Sequence, residues 1–418
     1  MGTTLKFRSL PLELLPMKRR DFFGATCASF VAASLRASPG RVQHLILRSS
    51  WQTVNIGDIA HTPGMLALLE QYLPDIAVTL WPSGLNEEVT QLLEKRFPKL
   101  NIAKTPEQQQ TALQSCDFFL HGSGPGMVGR KETELAQQQG IPYGFGGITL
   151  SDEELQNYRE LLNGAKFVFT RDTLSLQALR AAGIDRTHSA FGPDATFALD
   201  LRDDEAAQKL LVEKKLEPGE FLCAVPRLRW TPYWEVHPER TKPNPDRSAV
   251  NEAFAERDHA KMREAIIAWV QTFQRKVFLV PEMTYAVSRL KPLLYDPLPA
   301  SIKPMVELMD RYWLTAEAAS VYSQAAAVIS FEMHSPIMSL TSSTPAMYLR
   351  QPTDTRKGQM WRDIGLNDWI FEIDETSGKQ IADRLLEIGN DLQLAGQKAQ
   401  QGLELAQQKM KEMVHAIV

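Results

Sequence analysis

Cysteine is scarce in the sequence, and long apolar runs are missing from it. The chain has 418 residues and 3 cysteines, Cys27, Cys116 and Cys223, whose spacing is not that of metal ligands. A chain of this length has no need of disulfides to stabilise its fold. No stretch stays apolar for the length that a membrane-spanning helix requires. The composition therefore points away from a zinc-binding module, a thiol catalyst and a membrane-spanning protein.

Positive charge is not in excess either. Lysine and arginine number 46 against 50 aspartates and glutamates, which gives a formal net charge of -4. Nucleic-acid-binding proteins usually present a basic surface, so this balance gives no reason to expect such a partner. The length suits two α/β domains better than a single core. Cations that matter for function must therefore act locally.

The N-terminus carries a pattern typical of export. Residues 17–23 read Met-Lys-Arg-Arg-Asp-Phe-Phe, a twin-arginine motif, and a mildly apolar run follows over 24–35. We expect cleavage near Ala37 and export to the periplasm or cell envelope, with 1–40 as an N-terminal extension and Met17 as an alternative start. The competing interpretation is a basic N-terminus without a targeting role, in which case the protein stays in the cytoplasm.

Short apolar runs alternate with amphipathic ones along the rest of the chain. The runs typical of strands are 42–48, 76–81, 100–103, 118–120, 142–148 and 166–170, and after a charged crossover 221–225, 276–280, 327–331 and 346–349. This alternation predicts two doubly wound, mostly parallel sheets. We expect a Rossmann-like domain over 41–200, a second over 201–380, and a helix over 381–418 that packs across both.

Two prolines predict where helices begin. Thr62-Pro63 is expected to open a helix that runs to Leu73, and Ser335-Pro336 a helix that the Ser335 hydroxyl caps. His334 would then lie in the turn after strand 327–331. Open α/β sheets bind ligands at the carboxyl ends of their strands, which makes His334 a candidate site residue. The alternative is a helix-start histidine whose hydrogen bonds go to the backbone.

Basic side chains follow several of the predicted strands. Arg171 ends one strand of the first half, and the cations after two strands of the second half are Arg227, Arg229, Arg350, Arg356 and Lys357. Guanidinium and ammonium groups at one sheet edge can bind a small, multiply charged anion. For Arg171 the alternative is a local ion pair with Asp172, while Asp194 either orients Arg171 or marks a turn.

Two loops of the first half favour contact with an anion or with sugar hydroxyls. Asn55-Ile56-Gly57-Asp58, with His61 close behind, follows the first strand, and Ser123 lies in the glycine-rich turn 122–126. Backbone can approach a ligand closely at such turns. The glycine spacing fits neither the dinucleotide nor the P-loop pattern. The alternative is that these glycines serve only the turns.

Several short motifs have the order and spacing of one known family. They are Asn55-Ile56-Gly57-Asp58, the turn 122–126, Thr170-Arg171-Asp172 with Ser175 and Gly183, Pro193-Asp194, Thr315 with Glu317, His334-Ser335, and Lys357 before Gly365-Leu366. In these motifs the chain resembles the polysaccharide pyruvyl transferases, from about residue 42 to about residue 373. The resemblance implies two Rossmann-like domains that face each other across a cleft, the GT-B-like arrangement of two-domain glycosyltransferases.

The resemblance also implies a reaction. Phosphoenolpyruvate donates its pyruvyl unit to hydroxyls of a cell-surface or secreted glycan, and the family's donor-site residues fall on Arg171, His334 and Lys357. The donor's methylene carbon must gain a proton, for which His334 is the candidate acid. Arg171 would hold the carboxylate or phosphate, and Lys357 would neutralise the leaving phosphate. Phosphoenolpyruvate is a co-substrate, and no cofactor or metal is expected.

The acceptor side is implied in the same way. The loop with Asn55 and Asp58 would line it, and we place His61 and Ser123 beside that loop. Asp58 is a candidate base towards the sugar hydroxyl. The expected partners are therefore a glycan and a small anionic donor.

Two features depart from the family. Glu332 stands where the family commonly has an arginine, so one of the nearby cations would have to compensate, the candidates being Arg227, Arg229, Arg350 and Arg356. In addition, phosphoenolpyruvate is a cytosolic metabolite, which an exported enzyme would not meet. Both features keep alternatives open.

The first alternative is an exported carbohydrate-binding or carbohydrate-processing protein that uses the same scaffold without phosphoenolpyruvate. Trp230, Tyr233 and Trp234, in a proline-rich loop, would suit stacking on sugar rings, although they could equally form a packed lid. The second alternative is a metal-independent GT-B glycosyltransferase that uses a nucleotide sugar. The sequence has no Asp-x-Asp metal motif, but such an enzyme need not use a metal.

Overall fold

The computed structural model describes residues 42–184 and 188–418. The twin-arginine pattern and the expected cleavage region lie outside the described residues. Within them, no helix combines the length and the apolar character that a membrane span would need.

Eight strands of the N-terminal half form one parallel sheet. They are β1 (His44–Ser49), β2 (Ala77–Pro82), β3 (Asn101–Ile102), β4 (Phe118–His121), β5 (Gly124–Pro125), β6 (Tyr143–Thr149), β7 (Phe167–Thr170) and β8 (His188–Phe191). Their order is β3-β2-β1-β4-β6-β7-β8, and β5 pairs with β6 outside this path. The order reverses between β1 and β4, which opens a crevice at the carboxyl ends of these two strands.

Six strands of the C-terminal half form the second parallel sheet. They are β9 (Phe221–Val225), β10 (Lys276–Leu279), β11 (Val306–Leu308), β12 (Ala327–Ser330), β13 (Ala346–Arg350) and β14 (Ile370–Glu372). The order is β11-β10-β9-β12-β13-β14, with its reversal between β9 and β12. Ser330 is paired with Val225 at the ends of these strands. The residues that follow, Arg227 and Glu332, are thereby brought close together.

Helices connect the strands and cover both sheets. In the N-terminal half they are α1 (Ile56–Tyr72), α2 (Glu87–Arg96), α3 (Pro106–Ser115), α4 (Arg130–Gln138), α5 (Asp152–Asn157), α6 (Arg159–Gly164) and α7 (Thr173–Ala181). After the crossover come α8 (Asp204–Glu213), α9 (Tyr233–Val236), α10 (Pro245–Phe273), α11 (Val287–Leu290), α12 (Thr315–Gln324), α13 (His334–Leu340), α14 (Gln359–Asp363), α15 (Gly378–Asn390) and α16 (Leu392–His415).

Burial on both faces explains why the central strands are continuously apolar. All residues of β4, β7, β9 and β12 are buried, as expected for parallel strands between two helix layers. The prediction of two parallel α/β sheets is confirmed. The strands that the sequence did not indicate are β5, β8, β11 and β14, which are short and only partly buried. Such edge strands lack a strong apolar signal.

Two helix starts differ from the prediction. α1 begins at Ile56, because the Asn55 side chain accepts hydrogen bonds from the backbone N–H groups of Gly57 (2.7 Å) and Asp58 (3.3 Å), and Pro63 lies inside the helix. α13 begins at His334 itself. The Ser335 hydroxyl does not cap this helix.

The C-terminal tail forms two helices. Asp391 separates them and caps α16 by accepting a hydrogen bond from the backbone N–H of Leu394 (2.9 Å). α16 contacts both α1 and α13, and its buried face includes Leu403, Met410 and Met413. The end of the chain therefore helps to hold the two halves together.

Two buried histidines of the scaffold predict a loss of stability in acid. Burial lowers the pKa of His121 and of His259 from 6.5 to about 4. Because the unfolded chain binds the proton more readily, protonation of these histidines favours unfolding. The free energy of unfolding is therefore unaffected by them above pH 6.5 and decreases as the pH falls towards 4. We expect each to account for up to about 3 kcal/mol over this window.

Urea unfolding at about pH 7 and about pH 5 measures this effect. The free energy of unfolding should fall on acidification, and His259→Gln should reduce the fall because it removes one of the two groups. An identical pH dependence in the wild type and the variant would contradict the assignment to His259.

Candidate functional site

His334 lies at the carboxyl end of the C-terminal sheet and is held by a carboxylate. Its Nδ1 is 3.1 Å from Oε1 of Glu282, which follows β10 and is fully buried. Glu282 also accepts hydrogen bonds from the backbone N–H and the hydroxyl of Ser335, both at 2.7 Å. Burial alone would lower the pKa of His334, but the Glu282 carboxylate outweighs it and raises the pKa. The imidazole is therefore fixed with its Nε2 away from Glu282.

A short backbone seam brings the N-terminal half against this imidazole. The backbone N–H of Ile56 donates to the carbonyl of Glu282 (3.1 Å), and that of Thr284 donates to the carbonyl of Val54 (3.0 Å). The Thr315 hydroxyl donates to the carbonyl of Ile56 (2.7 Å). The first turn of α1 consequently packs on the His334 ring.

Gly57 is required by this packing. A Cβ added there would lie 2.2 Å from Cγ and Nδ1 of His334. We expect Gly57→Ala to displace the imidazole and to lower the free energy of unfolding by about 1 to 3 kcal/mol. Gly84→Ala is the matched control, since its nearest neighbour would be 3.6 Å away. Urea unfolding of both variants checks the prediction, and equal effects of the two substitutions would refute it.

Asp194 lies at the centre of the site and is fully buried. Its Oδ2 accepts a hydrogen bond from Nη1 of Arg171 (2.8 Å) and is 3.8 Å from Nε2 of His334. Its Oδ1 is 2.9 Å from Nδ1 of His61. Burial alone would raise the pKa of Asp194, but His61, Arg171 and His334 together hold it well below its usual value. One carboxylate thus links three cationic or titratable side chains.

Two imidazoles from opposite halves face each other at Asp194. The rings of His61 and His334 have centroids 5.0 Å apart and meet edge to face. Nδ1 of His61 also lies 2.7 Å from the Ser123 hydroxyl oxygen. Nε2 of each ring is buried and has no hydrogen-bond partner among the described residues. These two nitrogens are the groups of the site that remain available to a ligand.

Glu332 forms a second buried cluster next to the first. Its Oε2 is 3.3 Å from Nε of Arg227, whose Nη1 donates to Asp354 at 2.5 Å. Burial raises the pKa of Glu332 to about 8, and the charge of Glu282 adds to this. Burial therefore disfavours the charged form of Glu332, which places less negative charge in the site than an exposed glutamate would.

Lys357 is a cation of the site that forms no ion pair with a carboxylate of the described residues. It lies in the turn Arg356–Gly358 and is half-buried. Its charge lowers the pKa of His334, Glu332 and Asp354. Its ammonium has no hydrogen bond or ion pair within 42–184 and 188–418. Of the expected donor-binding cations, this one is free to meet an anion.

The comparisons with known proteins bear on the family and on the fold. Residues 55–351 match the model of the polysaccharide pyruvyl transferase family. The chain belongs to this family. No curated protein matches the sequence.

Solved structures similar to this pyruvyl transferase family member show the fold. The Anabaena protein Alr3699/HepE in complex with UDP-glucose has a TM-score of 0.52 at 13% identity, over 90% of this chain and 98% of that one. UDP-GlcNAc 2-epimerase from Neisseria meningitidis bound to UDP-GlcNAc has a TM-score of 0.54 at 11% identity, over 90% and 99%. The MnaA–UDP structure from S. aureus has 0.53 at 12%, over 85% and 90%. The prediction of a GT-B-like fold with two Rossmann-like halves is confirmed.

In this family member Arg171 and His334 both approach Asp194, and Lys357 is near enough for its charge to act on His334, but the three side chains differ in their freedom. Arg171 is 2% exposed and donates hydrogen bonds to Asp194 and to the Thr149 hydroxyl (2.8 Å). The alternative of an Arg171–Asp172 pair is not what the contacts show. Asp172 instead caps α7 by accepting from the backbone N–H of Ser175 (2.7 Å).

Three other expected donor-binding cations are paired with carboxylates elsewhere. Arg229 binds Asp258 and Asp374, Arg350 binds Glu372, and Arg356 binds Asp152. Within the described part of the chain, none of the three contacts His334, Lys357 or Asp194, so they do not compensate for Glu332. The sequence placed these arginines at the carboxyl edge of the sheet because they follow strand ends. It did not show which carboxylates bind them, since those residues belong to other segments of the chain.

The expected acceptor-side residues occupy the N-terminal wall of the same cleft. Asn55 uses its side chain to cap α1. Asp58 accepts a hydrogen bond from the Gln52 side chain, and its Oδ1 is 3.9 Å from Nε2 of His61. Burial and then the charge of Asp58 raise the pKa of Tyr233, so this loop tyrosine lies near Asp58. Trp230 instead packs on Arg247, 4.5 Å from its ring centre.

Sequence reasoning gave no role to Glu282 and left that of Asp194 open. Glu282 follows the carboxyl end of β10, and Asp194 follows β8. Both therefore satisfy the same strand-end rule that indicated His334. Their positions after strand ends could therefore have identified both residues. The sequence analysis looked for cations at these strand ends and did not consider that carboxylates would hold them in place.

Proposed function

We propose that this family member transfers the pyruvyl unit of phosphoenolpyruvate to hydroxyls of a cell-surface or secreted glycan, with His334 as the proton donor. The observation that carries the proposal is the imidazole itself. Glu282 lies 3.1 Å from Nδ1, and Nε2 has no hydrogen-bond partner among the described residues and lies 3.8 Å from Oδ2 of Asp194, a residue of the other half. A positioned acid with one committed and one available nitrogen is what the reaction requires.

The chemistry then assigns a task to each group. His334 gives its Nε2 proton to the methylene carbon, which becomes a methyl group, and a cationic centre forms beside the carboxylate. Two sugar oxygens bond to that central carbon while its bond to the phosphate oxygen breaks. One hydroxyl proton restores the imidazolium, and the other leaves the site with the phosphate.

The surrounding residues supply charge and position. Lys357 neutralises the departing phosphate, because its ammonium has no carboxylate partner among the described residues. Arg171 acts through Asp194, which it holds at 2.8 Å, and so orients the two imidazoles. We therefore regard Arg171 as a positioning residue.

A second function is favoured by one observation, the presence of Glu332. A buried carboxyl replaces the family's arginine, and Arg229, Arg350 and Arg356 are paired with other carboxylates. A carbohydrate-binding or carbohydrate-processing protein on this scaffold would not need an anion pocket. It would use the hydroxyl-binding wall around Asp58 and Tyr233 without the donor.

Phosphate release separates the two functions. The purified protein is incubated with phosphoenolpyruvate and a mixed bacterial exopolysaccharide, and inorganic phosphate and glycan-bound pyruvate are measured together. Equal amounts of both products support pyruvyl transfer. Glycan binding without phosphate release would favour the second function and remove the first.

For the second function we also propose export by the twin-arginine route, because an exported protein would not meet phosphoenolpyruvate; pyruvyl transfer goes with the alternative, a protein that stays in the cytoplasm. The support is the motif at 17–23 and the run at 24–35. Fusion of residues 17–40 to a reporter, with Arg19 and Arg20 intact or both replaced by lysine, tests this. Export of the first fusion and retention of the second is the expected result, and cytoplasmic retention of both would overturn it.

A further inference from the structure

We propose that His61, Asp194 and His334 form a binding site for a divalent transition-metal ion of the zinc class. One ligand atom from each of the three side chains lies within 4.8 Å of the others, and all three residues are buried. Imidazole nitrogen and carboxylate oxygen are the ligands that such ions select. The site joins the two halves, because His61 and Asp194 come from the first and His334 from the second.

Each imidazole turns one nitrogen towards Asp194. In His334 this nitrogen is Nε2, 3.8 Å from Oδ2, and in His61 it is Nδ1, 2.9 Å from Oδ1. Nε2 of His334 is buried and has no hydrogen-bond partner among the described residues, while Glu282 lies 3.1 Å from Nδ1 of the same ring. Histidines that ligate metals usually donate their other N–H to a carboxylate, which fixes the tautomer and strengthens the ligand. The His334–Glu282 pair has this arrangement and points to a metal.

The separations suit a small ion after modest side-chain rotation. Nε2 of His334 is 3.8 Å from Oδ2 of Asp194, and Nε2 of His61 is 3.9 Å from Oδ1 of Asp58. Ligands of a tetrahedral zinc ion lie roughly 3.3 Å apart. Asp58 lies near Nε2 of His61, across the ring from the nitrogen that faces Asp194, and so is not counted among the ligands. Asp194 shares its Oδ2 with Arg171.

Metal and proton would compete for Nε2 of His334. The metal-bound protein therefore could not donate a proton through this nitrogen, and the ion would act as an inhibitor of the proposed transfer rather than as its cofactor. Metal binding itself does not depend on the proposed function being right.

Cobalt absorption tests the site directly. The purified protein is treated with a chelator, Co²⁺ is added, and the visible d–d bands of the bound ion are recorded before Zn²⁺ is titrated in. We expect one equivalent of four-coordinate Co²⁺ that Zn²⁺ displaces. His61→Ala and His334→Ala should each abolish the bands, and Glu282→Gln should weaken binding by about 10- to 100-fold.

Matched controls keep the outcome interpretable. His415→Ala removes an exposed histidine of α16 and should leave the bands unchanged. His61→Gln retains a side chain of similar reach and serves if the alanine variant does not fold. Absence of the bands in the wild type, or their persistence in both His61 variants, overturns the proposal. Phosphate release by the chelator-treated protein is measured in parallel, so the metal site and the transferase proposal can fail separately.

Discussion

Replacing His334 with alanine should lower the rate of pyruvyl transfer by about 10²- to 10⁴-fold, the usual contribution of a positioned general acid. The substitution removes the imidazole that Glu282 orients. It leaves Lys357 and the wall around Asp58 in place, so binding of the glycan should change little. The measurement is phosphate release at saturating phosphoenolpyruvate and glycan, together with glycan binding at equilibrium.

Two further variants make this result specific. His334→Gln keeps a polar side chain of similar size but cannot donate a transferable proton, so it should be as slow as the alanine variant. His415→Ala, at the exposed end of α16, should retain the wild-type rate. A His334→Gln protein that turns over normally would show that the imidazole is structural and would leave the proposed chemistry without its acid.

The sequence predicted the scaffold well because the scaffold depends on local patterns. Continuous apolar runs such as β9 and β12 identify buried parallel strands without knowledge of their neighbours. The position of His334 at a strand end followed from the same reasoning. Short edge strands such as β8 and β14 were missed because partial burial leaves little apolar signal.

The electrostatics of the site could not be read in the same way. Whether a cation is free depends on which carboxylate reaches it, and that partner is often far along the chain. Arg356 is paired with Asp152, 204 positions away, and Arg229 with Asp374, 145 positions away. Arg171 was expected to grip a ligand, yet it is held by Asp194. Strand-end reasoning locates such residues but does not show what each one contacts.

Asp194→Asn should be the most destabilising single substitution at the site. The Asn oxygen can still accept the hydrogen bond that the backbone N–H of Thr196 gives to Oδ1 of Asp194 (3.0 Å). The amide NH₂ would then replace Oδ2 and point a donor at the Arg171 guanidinium. Arg171 is 2% exposed, so its charge would be buried without a partner. Breaking a buried pair in this way costs about 3 to 5 kcal/mol.

Urea unfolding of the variant measures this cost, with Asp383→Asn as the control. Asp383 forms an exposed ion pair with Lys379 on α15 (2.7 Å), and loss of such a pair should cost less than about 1 kcal/mol. Equal unfolding free energies for the two variants would show that the Asp194 pair is not a structural requirement.

A double substitution separates the pair from its surroundings. In Arg171→Met with Asp194→Asn no buried charge is left unpaired, so the double variant should be more stable than the sum of the two single effects predicts, by about 0.5 to 3 kcal/mol. Additive effects would mean that Asp194 is held mainly by His61 and His334 instead. If the double variant folds but does not transfer the pyruvyl unit, activity requires the ion pair and folding does not. The pair would then serve to position the two imidazoles.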